Sequence, residues 1–385
     1  MSSLGRNLWL DLIRGCSALA VCLGHLRNAM LVDYSGLVHP GFAMKALYVF
    51  TGFGHQAVMV FFVLSGYFVG GGVLRSGTKF LWGNYLTSRL ARLWVVLIPS
   101  LIITWCIGLI IIHYAPGALS GANYDNWHSG PKPGEYSDDL GTFLANIFFL
   151  QTIASPVFGA NGPLWSLANE FWYYMLFPLL AVAMGFVGSG RYLSRAIALA
   201  LAMIIAWWLP NDILHGFMIW IMGVAVFHLQ PKIQSLSPKL ARIALLSGLI
   251  LFGLSLGYSK SAMWMKVISI EPDFAVGLTF SFLCLALTYR PFPEIRWPRI
   301  AHFARDLSEV SYSLYLSHFP LVVLISSTVY GSRKLAPDGL VLAQFLGWGL
   351  LLVGFGGLLW WLFESRTLWV RTNVTAFVNT VRVRN

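Results

Sequence analysis

The chain of 385 residues is 57% hydrophobic and only 11% charged, whereas soluble domains carry about 25% charged residues. Its formal net charge is +11, from 26 Lys and Arg against 15 Asp and Glu. A nucleic-acid partner would need a polar domain to carry that charge, and the sequence contains none. The composition therefore excludes a soluble protein and predicts an integral membrane protein.

Ten hydrophobic segments approach the roughly 20 residues that a bilayer-crossing helix needs. They are 8–30, 53–70, 93–113, 164–184, 193–209, 213–229, 240–257, 272–289, 308–330 and 339–362. The first is too long for the apolar core of a signal peptide, so we expect it to remain as a membrane helix. We predict an all-α polytopic membrane protein with about ten transmembrane helices, forming one transmembrane domain over 1–385.

The basic residues predict how these helices are oriented. Connections on the N-terminal side contain 19 Lys and Arg, and those on the opposite side contain 7. Because cytoplasmic loops carry the excess of positive charge, both termini are expected in the cytoplasm. The chain is therefore predicted to cross its membrane many times.

One long connection, 114–163, combines a polar stretch with an apolar piece near 140–154. A full span there would invert every later helix and move the basic loops outside. We therefore interpret 114–163 as an outer-face loop with a re-entrant or interfacial helix.

The first helix carries two ionisable residues, Arg14 and His25, which are eleven positions apart. At 100° per residue the two side chains point within about 20° of each other, roughly 16 Å apart along the axis. An ionisable group at membrane depth is a candidate for function. The alternative is that Arg14 snorkels to the interface and His25 is a hydrogen-bonded packing residue.

The inner ends of the second and third spans supply further candidates. Arg89 and Arg92 are spaced i, i+3 on one helical face, which suits capture of phosphate groups, although ordinary positive-inside charge explains them equally. Ser65 and Gly66 close the second span. Gly66 either permits a ligand to approach the backbone or permits close helix packing.

The fourth span places Ser166, Glu170 and Tyr173 on one face at i, i+4 and i+7, with Trp165 beside them. A membrane-embedded carboxylate needs a partner, and His25 is predicted in the same outer half of the bilayer. Interfacial aromatic residues alone would explain the tryptophan and the tyrosine but not the acid.

The ninth span carries a similar polar stripe. Ser311, Tyr315 and His318 again recur at i, i+4 and i+7. The alternative interpretation is hydrogen bonding between helices.

A histidine beside a carboxylate can remove a proton from a hydroxyl, since the acid orients the imidazole and stabilises the imidazolium. No serine or cysteine lies in a nucleophile-elbow sequence, so direct transfer is favoured over a covalent intermediate. The four cysteines lie in apolar segments without metal-ligand spacing, and no metal is expected. Arginines at the inner end, far from the histidine, favour a long phosphorylated donor such as a coenzyme A thioester.

Five motifs, in this order, resemble the membrane-bound acyltransferase-3 family of bacterial O-acyltransferases: LDLIRGCSALAVCLGH, FFVLSGYFVG, RLAR, GPLWSLANEFWYY and SYSLYLSHFPL. The resemblance covers about residues 8–365. It implies transfer of an acyl group, usually acetyl, from cytosolic acyl-CoA to a hydroxyl of an exo-, lipo- or oligosaccharide at the outer face.

By position, the resemblance implies that His25 is the catalytic histidine and that Glu170 matches the motif's acid. It also implies acyl-CoA contacts at Arg14, Arg89 and Arg92. Two other classes stay open: a proton-coupled polytopic transporter of a saccharide or organic anion, and a non-catalytic membrane scaffold.

Overall fold

The structure, a computed structural model, describes residues 7–121, 124, 127–188, 190–267, 270–290, 292, 295 and 297–384, with side chains as far as 376. Within these residues the chain forms α-helices and short helical turns, without a β-strand. The helices are α1 (Leu8–Met30), α2 (Phe42–Thr51), α3 (Gly54–Ser65), α4 (Gly71–Ser76), α5 (Trp82–Tyr114), α6 (Leu140–Ile147), α7 (Trp165–Ala183), α8 (Tyr192–Trp208), α9 (Asn211–Gln234), α10 (Pro238–Tyr258), α11 (Ala262–Val267), α12 (Pro272–Leu287), α13 (Pro298–Leu324), α14 (Gly339–Leu362) and α15 (Thr367–Arg384). The all-α prediction is confirmed.

Each of the ten predicted spans coincides with a helix. Among the described residues, seven helical segments are long and apolar enough to cross a membrane, which makes this a multi-pass membrane protein. They are Leu8–Met30, Gly54–Lys79, Trp82–Tyr114, Asn211–Gln234, Pro238–Tyr258, Pro298–Val329 and Gly339–Ala376. The other three predicted spans fall on α7, α8 and α12, outside that set. A count of ten crossings and the cytoplasmic position of both termini stay predictions.

The 114–163 segment contains one short helix in its described part, α6, whose eight residues extend about 12 Å. That length is far below the bilayer thickness. Asp139 caps the helix by accepting a hydrogen bond from the Thr142 amide at 2.9 Å. Hydrogen bonds from Ser137 and then Thr142 hold the pKa of the Asp139 carboxyl below its ordinary value. Positions 122, 123, 125 and 126 lie outside the described residues.

The chain divides into two compact units, each described by itself. Unit 1 comprises Met1–Ser17, His55–Phe80 and Asn169–Glu309. Unit 2 comprises Ala18–Gly54, Leu81–Ala168 and Val310–Asn385.

Unit 1 is packed through glycines where α3 meets α9. A Cβ on Gly66 would lie 1.9 Å from the Trp220 carbonyl oxygen, and a Cβ on Gly223 would lie 1.9 Å from the Val63 carbonyl oxygen. Both distances are far below van der Waals contact, so only glycine permits this approach. A π-helical turn over Gly66–Gly70 follows directly.

Unit 2 is organised around the C-terminal half of α13, where Pro320 lies inside the helix. Proline has no N–H, so the Leu316 carbonyl lacks its usual partner four residues on. Ser100 Oγ donates to this carbonyl at 2.6 Å, and Asn161 Nδ2 donates to it at 2.8 Å. Both donors are buried. They satisfy the carbonyl that proline leaves open and join α13 to α5 and to the segment before α7.

Candidate functional site

Two histidines of unit 2 form a direct pair. His25 on α1 and His318 on α13 stack with ring centroids 5.2 Å apart and an interplanar angle of 10°. His25 Nδ1 lies 2.9 Å from His318 Nε2. The pair is asymmetric in exposure, since His318 is fully buried and His25 is half-buried. One ring can therefore meet a substrate while the other is held inside the protein.

The hydrogen bonds of this pair determine which nitrogens carry protons. His318 Nδ1 lies 2.9 Å from the Leu314 carbonyl oxygen. A carbonyl only accepts, so His318 Nδ1 must donate, and in the neutral ring Nε2 must then accept. His25 Nδ1 is consequently the donor between the rings. This assignment leaves a lone pair on His25 Nε2, the nitrogen that a general base uses.

Further side chains fix the pair in place. The Phe319 ring meets His25 edge-on with centroids 4.9 Å apart, and Trp127 of the 114–163 segment lies 5.9 Å from Phe319. The Tyr315 ring lies 6.0 Å from the His318 ring. Aromatic contacts of this kind restrict ring orientation.

Ser166 and Tyr315, predicted on separate polar stripes, meet in unit 2. Their hydroxyl oxygens are 2.7 Å apart, and Ser166 Oγ also donates to the Pro163 carbonyl at 3.1 Å. The Tyr315 hydroxyl also lies 3.4 Å from the Pro163 carbonyl oxygen, so either hydroxyl can donate to the other. Ser311 is buried on α13, and Trp165 is half-buried at the start of α7. Four of the predicted site residues, His25, Ser166, Tyr315 and His318, thus belong to one connected region.

Glu170 belongs to a different cluster, in unit 1. Its Oε1 accepts a hydrogen bond from Ser65 Oγ at 2.8 Å and another from the Tyr174 hydroxyl. Trp220 Nε1 donates to Ser65 Oγ at 3.1 Å. Every hydrogen bond that the structure describes at the Glu170 carboxylate goes to Oε1.

Tyr173, predicted on the same stripe as Glu170, is fully buried in unit 1. Its ring lies 5.3 Å from Phe62 and 5.6 Å from Phe217. A Cβ on Gly216 would come within 2.2 Å of the Tyr173 hydroxyl, so glycine makes room for this side chain. These contacts are those of a packing residue.

The predicted arginines have well-defined neighbours. Arg14, in unit 1, donates from Nη2 to the Ser308 carbonyl at 2.6 Å. Arg89, in unit 2, donates from Nη2 to Ser88 Oγ at 3.1 Å. Both are half-buried.

Arg92, also in unit 2, lies beside an acid that the sequence analysis did not select. Its Nη2 is 3.9 Å from Glu364 Oε1, and its guanidinium carbon is 5.7 Å from the Tyr312 ring centroid. Glu364 is only 7% exposed, and its Oε2 accepts hydrogen bonds from the Ser313 amide and hydroxyl at 3.2 and 2.6 Å. With 38% of its side chain exposed, Arg92 keeps a surface on which it can meet an anion.

The structure thus gives His25 and Glu170 different described partners. His25 bonds to His318 in unit 2, whereas Glu170 bonds to Ser65 and Tyr174 in unit 1. The predicted pairing of His25 with Glu170 stays a prediction, as does a shared donor site for the arginines of both units.

Among the residues that the sequence analysis did not select, Tyr174, Glu364 and Trp220 have contacts at these sites. Tyr174 follows Glu170 by four positions, a helical spacing that already placed the two on one face. Glu364 follows a long apolar helix directly. An acid at the end of a membrane span is expected to have a polar or basic partner. Nothing in the sequence singles out Trp220, because apolar helices contain many aromatic residues and most of them only pack.

Across the described residues, no group of three or more His, Cys, Asp or Glu side chains is arranged to hold a metal ion.

A protein-family model described as an acyltransferase domain matches residues 7–367 of the chain. No curated protein and no solved structure matches the sequence. The matched range includes the histidine pair, the Glu170 cluster and all three arginines.

Proposed function

This chain belongs to the acyltransferase-3 family, and from that premise we propose that it is an O-acyltransferase of a bacterial inner membrane. The proposed reaction moves an acyl group, acetyl in our proposal, from cytosolic acyl-CoA to a hydroxyl of a saccharide or cell-envelope glycan at the outer face. The family match confirms the resemblance drawn from the five motifs. It supports an acyltransferase, and the donor, the acceptor and the residue roles are our proposal.

The observation that carries the proposal is the hydrogen-bonded chain from Leu314 through His318 to His25. It leaves His25 Nε2 unprotonated on a half-buried ring, while His25 Nδ1–H is held by a fully buried neighbour. This is the state a general base requires before it meets a hydroxyl. A histidine that served only in packing would not need a second, fully buried imidazole to fix its tautomer.

In the proposed step, His25 Nε2 takes the proton of the acceptor hydroxyl as its oxygen attacks the carbonyl carbon of the thioester. The carbon–oxygen bond forms, the carbon–sulfur bond breaks, and the coenzyme A thiolate receives the proton from the His25 imidazolium. The Nδ1–H of that imidazolium continues to donate to His318 Nε2, now as a charge-assisted bond. His318 thereby stabilises the charge that develops on His25.

The donor's phosphates are assigned to Arg14, Arg89 and Arg92, with Arg92 held between Glu364 and the Tyr312 ring. Arginine suits this task because its planar guanidinium binds phosphate oxygens in a bidentate manner and stays charged. Ser65 and Gly66, assigned to the donor from sequence, belong to unit 1.

Supporting roles near the acceptor are proposed for the aromatic and hydroxyl residues of the two polar stripes. They are Trp165, Ser166, Ser311, Tyr315 and His318. The hydrogen bond between Ser166 and Tyr315 supports such a role, since it fixes two polar side chains beside His318. For Tyr173 the proposed supporting role is packing within unit 1.

The test is transfer of label from acyl-CoA to a glycan. Purified protein in liposomes is incubated with acetyl-labelled acetyl-CoA and a panel of bacterial saccharides, and acetylated product is measured by mass spectrometry. We expect an acetyl ester on a sugar hydroxyl, and no product from His25→Ala. Saccharide uptake driven by a proton gradient, without consumption of the thioester, would instead identify a transporter.

A further inference from the structure

The Ser65 and Glu170 side chains of unit 1 form a hydrogen-bonded cluster of their own. Ser65 Oγ donates to Glu170 Oε1 at 2.8 Å. The Tyr174 hydroxyl donates to the same oxygen and lies 3.2 Å from Ser65 Oγ. An activated nucleophile is recognised by this arrangement: a hydroxyl within hydrogen-bond reach of a base, with the base oriented by a third group.

The hydrogen bonds at Ser65 Oγ are compatible with a role as a nucleophile. Its proton points to the Glu170 carboxylate, and one of its two lone pairs accepts Trp220 Nε1–H at 3.1 Å. The second lone pair remains for bond formation. Glu170 keeps capacity as well, because its described hydrogen bonds all go to Oε1 and an ionised carboxylate offers about four acceptor positions.

Ser65 and Glu170 are more exposed than the two side chains that hydrogen-bond to them. Ser65 and Glu170 are both half-buried, whereas Trp220 is fully buried and Tyr174 is only 3% exposed. Ser65 ends α3 immediately before the π-helical turn, and the contact of Gly66 with the Trp220 backbone fixes that end of the helix. The half-buried serine and glutamate are therefore held by groups that are themselves buried.

We propose that Ser65 is a nucleophile that accepts the acyl group from the donor, with Glu170 as its base and Tyr174 and Trp220 as positioning residues. The inference rests on the proposed function for the nature of the donor, an acyl thioester. It gives Glu170 a task that differs from the His25-orienting role predicted from sequence, and it adds a covalent step where the sequence analysis favoured direct transfer.

The step balances as follows. Ser65 Oγ attacks the thioester carbonyl carbon, and its proton passes to Glu170. The carbon–sulfur bond breaks, and the departing thiolate takes that proton and leaves as the free thiol. Ser65 is left as an oxygen ester. In the second half-reaction the acceptor oxygen attacks this ester, in place of the thioester of the direct transfer described above. The bond from the carbonyl carbon to Ser65 Oγ then breaks, and the acceptor's proton is transferred to Ser65 Oγ. Free thiol should therefore appear before any acceptor is added, and the kinetics should be ping-pong.

The experiment measures covalent label on the full-length protein. Wild-type protein is mixed with acetyl-CoA without acceptor, quenched in acid, digested and analysed by mass spectrometry. We expect one acetyl group on the peptide that contains Ser65, stable to neutral hydroxylamine as an oxygen ester. Ser65→Cys should carry a hydroxylamine-labile thioester at the same position, and Ser65→Ala should carry no label there.

Two further variants separate chemistry from folding. Glu170→Gln keeps the shape of the side chain but removes the base, so the rate of labelling should fall roughly 100-fold or more. Ser76→Ala is the matched control, because Ser76 is a hydroxyl of the next helix that bonds only to the Val73 carbonyl in the described structure. It should label at the wild-type rate.

The outcomes distinguish this inference from the proposed function. Wild-type protein that acetylates glycan with sequential kinetics and without label on Ser65 would overturn the nucleophile and leave the proposed function intact. Label on Ser65 without any glycan product would support the nucleophile and contradict the proposed acceptor. Neither label nor product would overturn both.

Discussion

Replacement of His318 by Phe tests whether the buried histidine fixes the tautomer of His25. The substitution keeps a planar ring of similar size against Phe319 and removes both ring nitrogens, including the one that accepts His25 Nδ1–H. The Leu314 carbonyl loses the imidazole donor but keeps its backbone partner within α13. We expect kcat to fall while the protein stays folded.

The expected size follows from the lost hydrogen bond. A bond to a charged group contributes about 1.5–3 kcal/mol, and each 1.36 kcal/mol in the barrier changes the rate tenfold. The predicted loss in kcat is therefore about 10- to 150-fold. Because His318 is fully buried, water does not replace the missing acceptor, which favours the upper part of that range.

The assay is steady-state acetyl transfer to the glycan, with the KM for acetyl-CoA measured in parallel. Ser317→Ala is the matched control, since Ser317 is equally buried on α13 and bonds to the Ser313 carbonyl instead of a histidine. A kcat for His318→Phe within about twofold of wild type would refute the tautomer argument. So would a loss of the same size in the control.

Three further predictions test the donor contact, the packing of unit 1 and the 114–163 segment. Arg92→Ala should raise the KM for acyl-CoA by about tenfold or more with little change in kcat, because one charge-assisted phosphate contact is lost; an unchanged KM in steady-state kinetics argues against the contact. Gly66→Ala should abolish folded protein in size-exclusion chromatography, since its Cβ would lie 1.9 Å from the Trp220 carbonyl oxygen, whereas Gly72→Ala meets nothing within 4 Å and should behave as wild type. Asp139→Ala should lower the unfolding temperature at neutral pH, and its difference from wild type should shrink as the pH falls below about 3.8. The reason is that a carboxyl with a depressed pKa stabilises the fold only while it is ionised. A difference of equal size at neutral pH and below pH 3.8 would contradict this.

The positions of the helices were largely predictable, because long apolar segments and helix-compatible composition coincide in a membrane protein. Helix bounds were less so. Hydropathy predicted the third span from residue 93, but α5 begins at Trp82, because the helix continues into a polar stretch that a hydropathy signal does not include. Helix α2 was missed for the opposite reason, as ten residues are too few to give a membrane signal.

The polar residues that share one face of a helix could be predicted from the sequence, but the contacts between different helices could not. Spacing of i, i+4 and i+7 placed Ser166, Tyr315 and His318 on polar stripes, which the fold brings together. Periodicity does not say which stripe meets which. Electrostatics favoured an acid as the partner of His25. The structure describes a second imidazole at its Nδ1, a contact between two helices that the spacing along either helix does not predict.

The most direct test of the account is the single-turnover rate of acetyl transfer in His25→Gln, compared with wild type at saturating acetyl-CoA and glycan. Glutamine can donate to His318 Nε2 as His25 does, yet it cannot accept a proton as a base. The account predicts a rate at least roughly 100-fold below wild type, with unchanged binding of acetyl-CoA and an unchanged unfolding temperature. A rate equal to that of wild type would contradict the assignment of His25 as the base.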